Sequence, residues 1–371
     1  MSLNGKKGNS IKALEDIFLQ GIRLQRNGVL KKIWKMQTIS RYAITSWLKR
    51  RKLQKKEGLM APVAMALSPT MQCNLSCVGC YARDYPRDGE LSLEVIDDIL
   101  DSAERMGVFL LIITGGEPLM RDGILKVFQR RKRLLFLMIT NGTLMDSKTA
   151  RMIASAGNIM TVVSLEGSRE QTDLRRGDGV YNQVERAMGC LQDADALFGF
   201  SAMVTSNNFE TLSSDEFIEE MVERGCALGF YTEYIPIGSI ARWDLVLNDE
   251  ERKWFRERVL EIRKSKPIMA VHLPDDEYGT DGKCMGVMGG CVHINAQGYV
   301  EPCPFTHLAS DNIRERALDQ VFRSQFLAQI RSSDAPCRRG HLGCALFENL
   351  KIVQDIAANT GAKPTDVEHS P

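Results

Sequence analysis

Short apolar runs alternate with amphipathic stretches through the middle of the chain. Six of these runs have the length and composition of buried strands, and the segments between them repeat apolar residues at helical spacing. The predicted strands cover residues 63–67, 109–114, 134–140, 160–165, 198–204 and 230–234. Repeated strand and helix units predict an α/β fold with a parallel sheet and helices outside it, curled into a full or partial barrel.

Local signals mark the ends of some elements. Ser92 suits the cap of a helix over residues 92–106, and Gly107 suits its end. Further along, Asn295-Ala-Gln-Gly298 stands between apolar residues and predicts a hairpin turn.

Residues 11–53 show a different pattern, in which apolar residues lie near one helical face and Lys and Arg residues form the opposite one. Gly28 interrupts the pattern, and the second half carries Trp34, Trp47 and the basic run 49–52. Trp and Leu opposite Lys and Arg are typical of a helix in a membrane interface, which is the interpretation we favour. A helix packed on the main domain with a solvated basic side is the second interpretation, and a nucleic-acid-binding arm is the least favoured.

The charge distribution divides the chain in the same place. Residues 1–60 hold 15 Lys and Arg residues against 3 Asp and Glu residues, a net +12, so a chain of net charge +1 carries −11 in its remainder. No stretch approaches ~20 uninterrupted apolar residues, and the N-terminus lacks the apolar core of a signal peptide. Ten cysteines without such a signal favour a cytoplasmic protein that keeps its thiols for metal, and the basic segment favours contact with the inner face of the membrane.

The run Cys73-Asn-Leu-Ser-Cys77-Val-Gly-Cys80 is the most specific chemical signal in the sequence. Three cysteines at C-x3-C-x2-C spacing suit three irons of a [4Fe–4S] cluster, which leaves the fourth iron open for a small molecule to chelate. A zinc knuckle is the alternative, but it needs a fourth ligand nearby, and no histidine lies near this run.

Polar residues and glycines stand at the carboxyl ends of the predicted strands. The cysteine run follows the first strand, the turn Gly115-Gly116-Glu117-Pro118 follows the second, and Asn141 follows the third. Ser164 and Glu166 end the fourth strand. In a parallel sheet these ends meet on one side, which is where active sites lie.

The cysteine run, the glycine turn and the order of strands and helices together resemble the radical S-adenosylmethionine (SAM) enzymes over about residues 63–265. The resemblance implies a partial (β/α)6 barrel with Cys73, Cys77 and Cys80 as the catalytic cluster ligands. It implies that SAM chelates the open iron, that the reduced cluster cleaves its C5′–S bond, and that a 5′-deoxyadenosyl radical abstracts hydrogen from an unactivated carbon. A flavodoxin or a ferredoxin-type protein would supply the electron.

The same resemblance implies that the glycine turn binds SAM. Gly115 and Gly116 would expose their backbone near the methionine amino group, with Glu117 and Pro118 beside them. Asn141 is expected to contact the cofactor from the next strand end, although the Thr-Asn-Gly sequence there also suits an ordinary turn.

Four further side chains are expected near SAM. Ser164 and Glu166 would lie near its carboxylate and ribose, and Glu166 stands where Asp is often found in this family. Arg176 is a candidate partner for the SAM carboxylate, since a guanidinium suits a planar acceptor with two oxygens, and a surface arginine is the alternative. The residue before the third cysteine, commonly aromatic in the family, is Gly79 here, so Tyr81 is the candidate for the adenine contact.

Cysteines return beyond residue 266, where the rhythm of strands and helices fades. Cys284, Gly298 and Cys303 stand at C-x13-G-x4-C spacing, and the predicted turn would bring the two cysteines together. This segment resembles the auxiliary-cluster extensions called SPASM and twitch domains, without the dense middle group of cysteines of the longer form. We therefore expect one auxiliary [4Fe–4S] cluster, with zinc as the alternative for a site of four thiolates.

Five cysteines compete for the four ligand places of this auxiliary cluster. Cys284, Cys303 and Cys344 are the first choices, and Cys337 or Cys291 completes the set. The expected organisation is a basic helical segment over residues 1–62, a radical SAM core over 63–265 and a small cysteine-rich extension over 266–371.

The expected substrate follows from the N-terminal pattern. A basic amphipathic segment suits a lipid or isoprenoid-type substrate held at a membrane, and residues 49–80 resemble radical SAM enzymes that act on hopanoid lipids. A peptide comes next, since auxiliary-cluster members often modify peptides, and a polar cofactor or tetrapyrrole stays open. A non-catalytic iron–sulfur scaffold or electron carrier is disfavoured, because the residues at the strand ends serve no purpose in simple electron transfer.

Overall fold

The apolar runs of the central region form strands that pair in parallel and in chain order. In the computed structural model, which describes residues 37–367 except residues 280, 285 and 339, these strands belong to one curled sheet of nine. The first seven are β1 (Ala64–Leu67), β2 (Leu110–Ile113), β3 (Leu135–Thr140), β4 (Ile159–Ser164), β5 (Phe198–Val204), β6 (Leu228–Glu233) and β7 (Met269–Leu273). Their order across the sheet is β7-β6-β5-β4-β3-β2-β1, and each neighbouring pair is parallel.

Two short strands from the C-terminal region continue the sheet beyond β1. β8 (His293–Ile294) pairs in parallel with β1, and β9 (Val300–Glu301) returns antiparallel to β8. The Asn295 side-chain oxygen holds the turn between them, because it accepts hydrogen bonds from the backbone N–H groups of Gln297 at 3.1 Å and Tyr299 at 3.0 Å. The predicted hairpin is therefore confirmed. A separate antiparallel pair joins β10 (Leu308–Ala309) to β11 (Lys363–Pro364).

Helices connect the strands and pack on the sheet, which explains why every residue of β4 is buried. The described helices are α1 (Gln37–Glu57), α2 (Leu93–Met106), α3 (Ile124–Arg130), α4 (Ser147–Ala156), α5 (Arg169–Arg176), α6 (Val180–Asp193), α7 (Phe209–Leu212), α8 (Asp215–Glu223), α9 (Asp249–Ser265), α10 (Leu318–Val321), α11 (Gln325–Ser332), α12 (Ala345–Glu348) and α13 (Leu350–Thr360). The ends of α2 are as predicted, since Ser92 accepts from the Val95 N–H and Gly107 closes the helix at a φ of 84°.

The α/β half-barrel is confirmed, and all six predicted strands form with their ends within two residues of the predicted positions. The sheet extends further than predicted, because β7 and β8 both lie beyond residue 265, where the core was expected to end. The C-terminal extension is therefore hydrogen-bonded to both edges of the region that contains the first six strands. This places its cysteines beside the strand ends.

Helix α1 is the part of the basic N-terminal segment that the structure describes, and it packs against α2. Lys49 Nζ donates to the Glu104 carbonyl at 3.0 Å, and Arg50 Nη1 donates to the Gly107 carbonyl at 2.5 Å. Cations are favoured there because the last carbonyls of a helix lack partners within the helix. Packing on the main domain thus accounts for these two basic residues. Residues 11–36 of the predicted pattern lie outside the described residues.

A second face of α1 remains exposed and apolar. Ile44, Trp47 and Leu48 expose 68, 44 and 53% of their surfaces, and the guanidinium of Arg51 lies 4.1 Å from the Trp47 ring centroid. None of the helices that the structure describes is long and apolar enough to cross a membrane. The membrane-interface interpretation therefore rests on this exposed face and on the basic charge around it.

We expect the chain to bind anionic liposomes through this face. Replacing Trp47 and Leu48 by serine should weaken that binding by roughly tenfold or more, since each buried apolar side chain contributes to interfacial binding. Liposome co-sedimentation at low and high salt measures the effect. The matched control replaces Leu350 and Ile352 of α13, which are exposed to a similar extent, 37 and 38%. Equal binding by the two double variants would remove the membrane interpretation.

Candidate active site

A cavity of about 620 Å³ lies at the carboxyl ends of the parallel strands. Its volume falls within the ~300–1,000 Å³ that small-molecule sites usually occupy. Residues that end or follow β2 to β7 line one side, and residues of the C-terminal extension line the other. The walls also include apolar side chains such as Ile112, Ile139 and Phe230. The sheet and the extension therefore share the walls of this chamber.

All three cysteines of the C-x3-C-x2-C run line this cavity, and none of them is in a disulfide. Burial raises the pKa of the Cys73 thiol, the Leu75 N–H lowers it, and the charges of Cys77 and Cys80 raise it again. The three sulfurs are thus close enough to repel one another when ionised. Iron compensates such a concentration of thiolate charge, so the residues present fit a cluster held by three cysteines.

The glycine turn after β2 lies against the segment that leads into the cysteine run. A side chain on Gly116 would place its Cβ 2.1 Å from the Gln72 carbonyl oxygen, and Gly115 has a φ of 101°. The Gly116 N–H donates to the Thr70 carbonyl at 3.0 Å. Only glycine fits this approach, because the contact at Gly116 is with backbone and Gly115 has a left-handed conformation. Both glycines line the cavity, as expected.

The structure places Glu117 behind the turn and not on the cavity wall. Its carboxylate accepts from Thr140 Oγ1 at 2.7 Å, the Asn141 N–H at 2.7 Å and the Leu119 N–H at 3.0 Å. Burial raises the pKa of Glu117, and these hydrogen bonds oppose the rise. Glu117 therefore ties the end of β3 to the glycine turn. Asn141 does line the cavity, whereas Pro118 is buried beside Glu117.

Glu166 joins two arginines at the end of β4. Its Oε1 accepts from Arg175 Nη1 and Arg176 Nε, both at 2.7 Å, and its Oε2 accepts from the Met203 N–H at 3.1 Å. Burial raises the pKa of Glu166, but the two guanidinium groups and the Met203 N–H lower it by more in total, so the net shift is downward. Its carboxylate is thus committed to protein groups and does not line the cavity, whereas Ser164 does.

Arg175 and Arg176 both face the cavity, and Arg176 Nη1 lies 4.0 Å from the Cys77 sulfur. Arg176 is therefore held by Glu166 close to the cluster cysteines, in a position that suits a carboxylate bound there. The sequence identified Arg176 and missed Arg175. The adjacent Arg-Arg pair that ends α5, opposite an acidic residue at a strand end, was the available signal.

Tyr81 lines the cavity with its hydroxyl group already engaged. The hydroxyl lies 2.8 Å from Thr114 Oγ1 and accepts from the Gly115 N–H at 3.1 Å. Its ring meets Phe305 edge to face, with centroids 5.6 Å apart. Tyr81 thus links the cysteine loop to the glycine turn and to the C-terminal extension, and its adenine contact stays a prediction.

Four of the five C-terminal cysteines also line the cavity, namely Cys284, Cys291, Cys303 and Cys344. Cys337 does not, because its thiol is buried elsewhere and donates to the Ile330 carbonyl at 3.4 Å. The geometry thus favours Cys291 over Cys337 among the two open choices. Within the described part of the chain, no three His, Cys, Asp or Glu side chains are grouped so that they could hold a single metal ion.

Glu277 is an acidic wall residue that the sequence reasoning missed. Burial and the charge of Asp276 raise its pKa to about 7. Burial is the larger cause of the raised thiol pKa of Cys284, Cys291 and Cys303, and the Glu277 charge raises each of them further. Glu277 therefore lies among the auxiliary cysteines. Nothing in its local sequence, an acidic run before Tyr278, distinguished it from a surface acid.

Family models match two parts of the chain. The model of the radical SAM superfamily matches residues 67–227, and the model of the SPASM iron–sulfur cluster-binding domain matches residues 284–344. The first range contains the cysteine run and the glycine turn. The second range begins at Cys284 and ends at Cys344.

Curated relatives and solved structures extend the similarity to most of the chain. Mycofactocin maturase MftC of Mycobacterium ulcerans is 33% identical over 330 residues, which cover 81% of this chain and 88% of the relative. AdoMet-dependent heme synthase of Nitratidesulfovibrio vulgaris is 27% identical over 308 residues, covering 73% of this chain and 81% of the relative. Streptococcus suis SuiB, solved with S-adenosylmethionine, aligns with a TM-score of 0.64 at 20% identity over 76% of this chain and 70% of SuiB, a likeness of fold.

Proposed function

The chain belongs to the radical SAM superfamily and carries a SPASM domain, and we propose from this that it modifies a peptide by abstracting hydrogen from an unactivated carbon. A radical SAM domain binds a [4Fe–4S] cluster and SAM, and a SPASM domain indicates auxiliary iron–sulfur clusters. The protein is an enzyme. The peptide substrate, the ligand sets and the residue roles below are proposals.

One observation carries the proposal. The three cysteines of the superfamily motif and four cysteines of the SPASM domain line the same cavity. A substrate in that cavity would lie between the two cysteine groups. This arrangement suits an enzyme that removes a hydrogen atom from its substrate and then takes up an electron from it, whereas a simple electron carrier does not need a chamber between its clusters.

The residues of this chain would first hold the cluster and SAM. Cys73, Cys77 and Cys80 would hold the cluster and leave one iron open, and the backbone of Gly115 and Gly116 would bind the methionine part of SAM. Bound there, the reduced cluster and SAM supply hydrogen-atom abstraction from carbon.

Arg176 would hold the SAM carboxylate, fixed in place by Glu166. Glu117 would act indirectly, since it holds the glycine turn and the Asn141 backbone in place. Ser164 on the cavity wall would contact SAM directly.

The C-terminal cysteines would hold a second cluster on the side of the cavity that the extension lines. Cys284, Cys291, Cys303 and Cys344 would hold one auxiliary cluster, and the SPASM match over residues 284–344 supports an iron–sulfur cluster there over zinc. A flavodoxin or ferredoxin-type protein would reduce the enzyme.

A peptide is favoured over the lipid substrate that the N-terminal pattern suggested. The maturase relative is 33% identical over 330 residues, against 27% over 308 residues for the heme synthase, and SuiB has been solved bound to a precursor peptide. No comparison supports a lipid substrate, so the basic helix α1 supports at most a location near a membrane. The heme synthase relative favours a tetrapyrrole as the second candidate substrate.

The test is release of 5′-deoxyadenosine by anaerobically reconstituted, chemically reduced protein. Three additions are compared: the peptide fraction of source cells, the lipid fraction, and an iron porphyrin with four free carboxylates. Stimulation by the peptide fraction is expected. Stimulation by the porphyrin or the lipid fraction alone would replace the peptide proposal, and no release from a protein with intact clusters would contradict radical chemistry itself.

A further inference from the structure

Two arginines on the loop that follows the third cluster cysteine also line the cavity. Arg83 lies in a short 3-10 turn (Tyr81–Asp84) directly after Cys80, and Arg87 follows four residues later. The Arg83 side chain is exposed at the cavity, and Arg87 is half-buried. Neither residue belongs to the cysteine motif or to the glycine turn.

Arg87 has an unsatisfied hydrogen-bonding group. Its Nη1 is buried and has no hydrogen-bond partner among the described residues. Its Nη2 makes only a long contact, 3.5 Å, with the Arg83 carbonyl. Burying a guanidinium N–H without an acceptor is unfavourable, so a bound acceptor that the Arg87 side chain moves to meet would relieve this cost.

The loop around Arg87 is fixed from several sides. Gln72 Nε2 donates to the Arg87 carbonyl at 2.6 Å, and Gln297 Nε2 donates to the carbonyls of Pro86 and Asp88, both at 2.9 Å. Arg314 Nη2 donates to the Gly89 carbonyl at 2.6 Å. The backbone is thus held by the C-terminal hairpin and by the segment before Cys73, which fixes the point from which the Arg87 side chain extends.

The acids nearest in the loop are committed to other partners. Asp84 accepts from the Ser239 N–H at 2.6 Å and from Ser239 Oγ at 2.5 Å. Glu90 accepts from Thr70 Oγ1 at 2.7 Å and from the Met71 N–H at 2.8 Å. Across the part of the chain that the structure describes, no carboxylate oxygen lies within 4.0 Å of either guanidinium.

This contrasts with the other arginine pair of the cavity. Arg175 and Arg176 share the carboxylate of Glu166, which holds Arg176 beside Cys77. The two pairs therefore differ in their charge balance, and the cavity contains one arginine pair with an internal counter-ion and one without.

We propose that Arg83 and Arg87 form an anion subsite that binds a carboxylate of the substrate, separate from the place of the SAM carboxylate at Arg176. This rests on the proposed function, because it assigns the substrate and not SAM to the subsite. A planar guanidinium suits a carboxylate, which it can bind through two parallel hydrogen bonds. The substrate class is thus a molecule with a free carboxylate, from a peptide or from a porphyrin.

The test compares free and blocked carboxylates on two kinds of probe. One arm uses an iron porphyrin with four free carboxylates and its tetramethyl ester, and the other uses short peptides with a free or an amidated C-terminus. Affinities are measured by equilibrium titration on the reconstituted full chain with SAM present. In at least one arm the free acid should bind wild type about tenfold more tightly than the blocked form, and Arg87→Gln should erase this difference.

The matched control is Arg105→Gln, which removes the same charge from the exposed outer surface of α2 and should keep the discrimination. Arg87→Lys should recover only part of it, since an ammonium group cannot make the paired contact. Equal binding of free and blocked forms by wild type in both arms, including no binding at all, would overturn the proposal. The proposal would also be overturned if Arg87→Gln still distinguished the free acid from the blocked form. It would equally be overturned if Arg87→Gln lost affinity for SAM instead of losing this discrimination.

The proposed function fails separately. Release of 5′-deoxyadenosine by the wild-type protein tests radical chemistry without reference to Arg87. A protein that releases it but does not distinguish free from blocked carboxylates would keep the function and lose the subsite.

Discussion

Cys77→Ala is expected to abolish release of 5′-deoxyadenosine and to remove the iron held by the N-terminal cysteine run. Cys77 is buried on the cavity wall, and Arg176 Nη1 lies 4.0 Å from its sulfur. Two remaining thiols cannot hold three irons and leave one open, so the place where SAM would bind is lost. Anaerobic reconstitution followed by iron analysis and product measurement tests both parts of the expectation.

Cys190→Ala is the matched control. Cys190 is a half-buried free thiol on α6, whose sulfur lies 3.6 Å from Ser147 Oγ, away from the cavity wall. This variant should keep the iron content and the product yield of the wild type. Product release by Cys77→Ala at the level of Cys190→Ala would contradict the assignment of the cluster that binds SAM.

The sequence predicted the strands where the apolar runs were continuous. β4 is buried along its whole length and was found directly. β7 was missed because its run is broken by a polar residue, His272, which is fully buried and bonded through Nε2 to Glu233 Oε1 at 2.9 Å. A buried hydrogen bond between a histidine of β7 and a glutamate of β6 cannot be distinguished in the sequence from two surface residues.

The site was predictable where chemistry depends on local spacing. The three cysteines and the two glycines are close in the chain, so their grouping follows from the motif. The pairing of Glu166 with Arg175 and Arg176 joins a strand end to the end of the following helix, and this depends on how α5 returns to the sheet. Glu117 was expected beside SAM because its motif is local, but its partners are Thr140 and Asn141 on the next strand.

The choice between Cys291 and Cys337 illustrates the same limit. Both lie in the C-terminal extension, and spacing alone did not separate them. Cys291 precedes β8, which pairs with β1, so the sheet brings it to the cavity. Cys337 follows α11 and faces the Ile330 carbonyl on that helix. The two cysteines lie in different places because one precedes a strand of the sheet and the other follows a helix.

This difference leads to a paired prediction on iron content. Cys303→Ala should lower the iron of the reconstituted protein by about four per chain, because it removes one of four thiolates from the auxiliary cluster. Cys337→Ala should keep the full content, since its thiol lies outside the cavity that the other four cysteines line. Cys303 is half-buried and Cys337 is buried in the same extension, so the second variant controls for the loss of a thiol as such.

Iron and zinc are measured together after anaerobic reconstitution, and Cys291→Ala completes the series. We expect Cys291→Ala to behave like Cys303→Ala, because both thiols lie on the cavity wall near Glu277. Loss of iron in Cys337→Ala with full iron in Cys291→Ala would reverse the choice of the fourth ligand. Zinc that is present in the wild type and lost in Cys303→Ala would show that the four thiolates hold a zinc ion. Unchanged iron in Cys303→Ala would remove the auxiliary cluster altogether, and the cavity would then contain one redox centre.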